Sequence, residues 1–170
     1  MILVVFSLFV WGMEWARIRF SAFNQLFLSL LGGLIREEER TKLSGVFWMV
    51  AGVLTIAILI KSPPLSIAIL LYLLLGDTAA SLGGKWLKGP HWGQSPKRVS
   101  GSLSCFIVCF FIGFFLLRPG YNGTSIFIGA LVATGAEYGM FRMNDNFLIP
   151  ALSSLFFWLY DYGLGIGVRF

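Results

Sequence analysis

The chain has 170 residues, 57% of them hydrophobic and 12% charged, with a net charge of +5. A soluble domain carries about 25% charged residues. This composition, at a mean hydropathy of +0.81, therefore excludes an ordinary water-soluble fold. It reads as one integral membrane unit over residues 1–170, with no nucleic-acid partner.

Apolar segments follow one another at about 1–15, 20–35, 44–61, 64–82, 99–117, 122–141 and 146–168. In lipid the backbone has no water to bond, so these segments are expected as helices. Runs such as LSIAILLYLLL (65–75) lack the alternation of barrel strands. The first segment has no basic n-region and no small-x-small site, so it reads as a helix and not as a leader. The second, FSAFNQLFLSLLGGLI, contains Asn24, Gln25 and the Gly32-Gly33 pair. It falls short of the about 17–25 residues that a span needs, and an interfacial or re-entrant helix is expected there. The expected fold is all-α: a polytopic helix bundle of about six transmembrane helices plus that one.

Charge orients the bundle. With this order, Arg17, Arg19, Arg36, Arg40, Lys42, Lys85, Lys88, Lys97, Arg98 and Arg142 fall on one side, and Lys61, Arg118 and Arg169 on the other. The positive-inside rule then makes the basic loop 83–98 cytoplasmic. Glu14, Glu37, Glu38, Glu39, Asp77, Glu137 and Asp145 gather at the same face, and Asp161 lies elsewhere. REEER (36–40) reads as a solvated surface. Asp77 and Glu137 differ, because each sits inside an apolar helix. A carboxylate there costs about 2.5–3.5 kcal/mol at mid-membrane and so faces a partner, a cation or a polar cavity. Gly76, Ala80 and Gly84 form a small-residue stripe, repeated by Gly135 and Gly139 around Glu137, that lets helices approach closely. Cys105 and Cys109, four apart on one helix face, read as small packing residues. With a single histidine, a His-based zinc centre is not expected.

The loop carries the chemistry. Lys85, Lys88, Lys97 and Arg98 can offset phosphate charge, while Gly83, Gly84, Gly89 and Gly93 let the backbone wrap an anion. Ser100, Gly101 and Ser102 open the next helix, where free N–H groups favour a phosphate. A loop that only held anionic head groups would explain the cations but not the buried acids. A Mg²⁺–nucleotide site explains both, since Mg²⁺ suits carboxylate and phosphate oxygens. The Walker A and Rossmann spacings are absent.

Three motifs in order carry a resemblance. They are G-D-x-x-A-x-x-x-G (Gly76, Asp77, Ala80, Gly84), K-x-x-x-G-S (Lys97, Gly101, Ser102) and D-N-x-x-x-P (Asp145, Asn146, Pro150). Together they resemble the diacylglycerol/polyprenol kinase family, which includes CTP-dependent dolichol, phytol and diacylglycerol kinases. Arg36 with Glu37-Glu38-Glu39 and Gly45 resembles its R-x-x-E…G stretch, and Glu137 the acid before its D-D-N motif, which here reads Asn144-Asp145-Asn146. The resemblance implies transfer of the γ-phosphate of CTP to a polyprenol, diacylglycerol or similar lipid hydroxyl. By that resemblance Asp77, Glu137 and Asp145 would hold Mg²⁺, with Asp77, Glu137 and Lys97 catalytic. Gly76, Gly84, Lys85, Lys97, Arg98, Ser100, Gly101, Ser102 and Asn146 would bind the nucleotide. D-T-x-A (Asp77, Thr78, Ala80) and Ser95-Pro96-Lys97-Arg98 also look like phosphatidate cytidylyltransferase, whose P-G-H-G-G…D-R ending is absent. A non-catalytic lipid-binding or transport protein is the third reading, and a homo-oligomer is left open.

Overall fold

The computed structural model describes residues 2–35, 37–93, 95–139 and 143–163, without the side chains of Leu34 and Glu38. Arg36, Arg142, Arg169 and the end of the last apolar segment lie outside the described residues. Among the described residues the chain is all-α, as expected. Its seven helices are α1 (Ile2–Arg19), α2 (Ser21–Leu31), α3 (Gly45–Leu59), α4 (Pro63–Trp86), α5 (Val99–Leu117), α6 (Gly123–Tyr138) and α7 (Asp145–Gly163).

Local chemistry sets the boundaries. The Ser44 hydroxyl accepts the Phe47 N–H and the Asn122 side chain accepts the Ser125 N–H, each supplying an orphan first-turn donor. Pro63 and Pro64 occupy the first helical positions of α4, where a missing N–H costs nothing. Gly139, at φ +86°, ends α6 two residues after Glu137 in a conformation that disfavours a side chain. Inside α4 the Tyr72–Gly76 stretch is a single π-helical turn immediately before Asp77. Such insertions recur at functional sites.

The core lies among α4, α5, α6 and α7, with α3 against α7, α1 against α3 and α2 against α1. Leu65, Ile69, Tyr72, Leu117, Ile126 and Phe157 fill it. The small-residue stripe of α4 is a packing seam, whereas Gly139 of its expected repeat is not, since a Cβ there would meet nothing within 4 Å. A Cβ on Gly76 would stand 2.7 Å from Cys109 Sγ, and one on Gly101 would stand 2.7 Å from the Ala80 carbonyl oxygen. Cys105 and Cys109 are fully buried, as expected of packing residues.

Helices α4 and α5 are each long and apolar enough to cross a bilayer. Length and hydropathy do not by themselves carry the expected count of six, since the expected spans α3 and α6 have only 15 and 16 residues. Large apolar side chains cover the outside of the bundle, including Phe6, Phe9, Phe111 and Phe115. An exposed apolar surface of this extent suits lipid better than water.

Candidate active site

A cavity of about 480 Å³ opens at one end of the bundle. Helix α4 contributes Asp77, Ala80, Ser81, Gly84 and Lys85, the loop Pro96, Lys97 and Arg98, and α5 Gly101 and Ser102. Glu137 enters at the end of α6 and Asp145 at the start of α7. Residues 68 positions apart in sequence thus meet because four helices end or begin here.

Lys97 is the centre of the charge arrangement. Its ammonium lies 2.8 Å from Glu137 Oε1 and 3.2 Å from Asp145 Oδ2, and it also donates to the Glu137 backbone carbonyl. Burial pulls the lysine pKa down. The hydrogen bonds and negative charges of Glu137 and Asp145 outweigh that and hold it above its usual value. Lys97 therefore stays charged throughout the physiological range. Glu137 is only 5% exposed. Its second oxygen, Oε2, is buried with no hydrogen-bond partner among the described residues, an arrangement that leaves a lone acceptor for an incoming cation or proton.

The loop before α5 is folded, not slack. Trp92 N–H donates to the Lys97 carbonyl, Val99 N–H to the Pro90 carbonyl and Ser95 N–H to the Trp92 carbonyl. The Trp92 indole N–H donates to the Ser102 hydroxyl at 3.2 Å, and its ring lies 5.4 Å from that of Tyr138. These bonds set Lys97 and Arg98 at the cavity wall. Part of the expected anion cradle is also in use, because the Gly101 and Ser102 N–H groups are both already bonded to the Arg98 carbonyl.

Of the twelve residues expected to be catalytic, nucleotide-binding or metal-holding, nine line the cavity: Asp77, Gly84, Lys85, Lys97, Arg98, Gly101, Ser102, Glu137 and Asp145. Three do not. Gly76 faces the cysteines of α5. The Ser100 hydroxyl accepts the Gly89 N–H at 3.3 Å and so closes the loop. Asn146 donates through Nδ2 to the Gly45 carbonyl at 3.4 Å, tying the start of α7 to α3. Pro150 explains the rest of that motif. It cannot donate to the Asn146 carbonyl, and both groups instead press on Gly52, where a Cβ would stand 2.4 Å from the proline ring. Asn144, which stands where the resembled D-D-N motif has an acid, accepts the Asn146 N–H at 3.0 Å and caps α7.

Ser81 was not singled out, although its spacing of four from Asp77 places both on one helix face. The larger omission is the pairing of Glu14 and Arg17, which the charge count placed at the cytoplasmic face without a partner. They are 5% and 1% exposed and form an ion pair of 2.9 Å. Within REEER, Glu37 and Arg40 are exposed and paired as expected, whereas Glu39 is only partly exposed and lines a second cavity.

No three Asp, Glu, His or Cys side chains form a group able to hold a metal ion among the described residues. The donor set fits a different case. Mg²⁺ is commonly held by one or two carboxylates together with substrate phosphates and water, and Glu137 and Asp145, both on the cavity wall, are oxygen donors of that kind.

Fold and site together define a helical bundle with two helices long and apolar enough to cross a membrane and a charged cavity at one end. The chain is similar to three proteins named CTP-dependent diacylglycerol kinase 1. It is 29% identical to that of Schizosaccharomyces pombe over 84% of this chain and 72% of the relative. The identity to the Saccharomyces cerevisiae protein is 29% over 82% of this chain and 56% of the relative. For Eremothecium gossypii it is 30%, over 82% and 51%. The chain thus spans little more than half the length of the latter two relatives. No family profile matches the chain, and no solved structure matches it.

Proposed function

We propose that the chain belongs to the CTP-dependent lipid kinases and transfers the γ-phosphate of CTP to diacylglycerol. The observation that carries this reading is the Lys97–Glu137–Asp145 cluster inside a cavity also lined by Asp77, Lys85 and Arg98. The names of the three relatives support the donor and the acceptor. In this reading Lys85 and Arg98 draw in the nucleotide phosphates, and Lys97 steadies Glu137 and Asp145 as charge builds up nearby. Mg²⁺, when bound with the nucleotide, would neutralise phosphate charge during transfer. The lipid hydroxyl oxygen bonds to the γ-phosphorus as the bond to the β-phosphate oxygen breaks. CDP leaves, and the hydroxyl proton passes to Asp77 or Glu137.

The decisive measurement is which phosphorus reaches the lipid. Purified protein with Mg²⁺ and CTP labelled at the α or γ position is offered diacylglycerol, polyprenols and phosphatidate. γ-Label on diacylglycerol, with CDP released, is expected. α-Label on phosphatidate with pyrophosphate would establish cytidylyl transfer instead. γ-Label on polyprenol alone would move the acceptor, and label on no lipid would favour a non-catalytic protein.

The proposal includes six crossings with the charged cavity at the cytoplasmic face, because the cations gather at that end. Leu87 and Thr124 are exposed near opposite ends of the bundle. In a variant with Cys105 and Cys109 replaced by alanine, a cysteine at Leu87 should react with an impermeant thiol reagent only in opened cells. One at Thr124 should react in intact cells. The reverse pattern would remove the site from its nucleotide.

A further inference from the structure

A second cavity, of about 250 Å³, lies among α1, α2 and α3, away from the loop cations. Its walls are apolar: Val10 and Met13 of α1, Phe27 and Leu31 of α2, Ile35, and Val46 of α3. Such a lining has nothing to offer a nucleotide. Two carboxylates also border it, and they are in different states. Glu14 is closed off, since it holds Arg17 and accepts the Ser44 N–H at 3.0 Å. Glu39 reaches the start of α3. A Cβ on Gly45 would stand 3.4 Å from Glu39 Oε1 and 2.7 Å from Asn146 Nδ2, so both side chains meet the same glycine face. Asn146 directly follows Asp145, which pairs with Lys97 in the charged cavity. Glu39 at the edge of the apolar cavity is therefore linked, through the Gly45 face and Asn146, to Asp145 on the wall of the charged one.

We infer that this cavity takes part of one acyl chain of the acceptor lipid and delivers its hydroxyl past Glu39 and Asn146 to the phosphate site. The inference rests on the lipid-kinase reading above. An amphiphile with a hydrocarbon tail and a hydroxyl head matches an apolar chamber whose polar edge borders the reacting groups. At about 250 Å³ the chamber is smaller than the about 300–1,000 Å³ of sites that enclose a whole small ligand. It accommodates a portion of one chain, and the remainder stays in the bilayer. Leu31 and Val46, 42% and 53% exposed, stand at its rim and give a lateral entrance from lipid.

Two measurements test this. Diacylglycerol carrying a photoreactive diazirine in one acyl chain should cross-link to residues 10–46 of the purified protein. Excess diacylglycerol should suppress the cross-link, and phosphatidylcholine should not. Leu31→Trp and Val46→Trp, which narrow the rim, should raise the KM for dioleoylglycerol about tenfold, the scale on which a pocket senses a few methylenes. The KM for CTP should stay unchanged. Equal suppression by both lipids would mean bulk lipid only and would overturn the site. So would cross-linking confined to α4–α7, or tryptophan variants that alter both KM values together. Because the cross-link needs no turnover, its result separates the two readings. An inactive wild type that still gives the competed cross-link defeats the kinase reading and not the lipid cavity. An active wild type cross-linked elsewhere defeats the cavity alone.

Discussion

Asp77→Asn is expected to lower kcat/KM by about 100-fold or more, with the protein still folded and extractable. The substitution keeps the size and shape of the side chain and removes one negative charge from the cavity wall. If that charge helps hold the metal–phosphate group or takes the hydroxyl proton, its loss falls on the transition state, where a single such interaction is worth about 10²–10³ in rate. The position supports such a role. Asp77 starts the regular helix directly after the π turn of Tyr72–Gly76, which rotates the residues following it relative to an unbroken α-helix. Thr78, the next residue, is exposed, and its hydroxyl donates to the Leu74 carbonyl of its own helix at 2.6 Å. Thr78→Ala is therefore the control and should leave kcat/KM close to wild type. Activity of Asp77→Asn above about a tenth of wild type would show that the carboxylate acts at a distance from the reacting atoms.

How much of this was legible beforehand differs by kind of feature. Helix positions were, because apolar runs bounded by Ser44, Ser62-Pro63, Asn122 and Gly139 carry their own start and stop signals. Helix α4 nonetheless runs on to Trp86, past the expected end near residue 82, since Gly83 and Gly84 pack against α5 and do not break the helix. The membership of the cavity was also largely legible, because buried carboxylates and clustered cations in one chain must be reconciled somewhere. Which partner each side chain takes was not. Lys97 bridges to residues 40 and 48 positions away, and nothing local to residue 97 distinguishes Glu137 from Asp77 as its partner. The π turn leaves no periodic signal in a uniformly apolar run. Asn146 and Pro150 show a third limit. A motif can be carried by packing on Gly45 and Gly52 as readily as by contact with a ligand.

Arg17→Ala should destabilise the protein by about 3–5 kcal/mol, the usual effect of removing one partner from a buried ion pair. It should appear as a large drop in thermal stability in detergent. Arg17 is 1% exposed and its guanidinium is shared among many acceptors. It pairs with Glu14, donates to the carbonyls of Glu39, Arg40 and Lys42, and reaches Asn24 Oδ1 at 3.4 Å. Glu14 in turn accepts the Ser44 N–H at the start of α3. Removing the arginine leaves a buried carboxylate uncompensated and frees the segment that leads from α2 to α3. Arg17→Lys restores charge without the planar fork, so it can satisfy only some of these acceptors and should recover part of the stability. The functional consequence is specific, because the loosened segment carries Glu39 to the edge of the apolar cavity while Lys85, Lys97 and Arg98 of the charged cavity sit on α4 and the loop before α5. Arg17→Lys should therefore raise the KM for diacylglycerol more than that for CTP. Equal changes in both would mean that the arginine supports the whole bundle and not the acceptor side of the site.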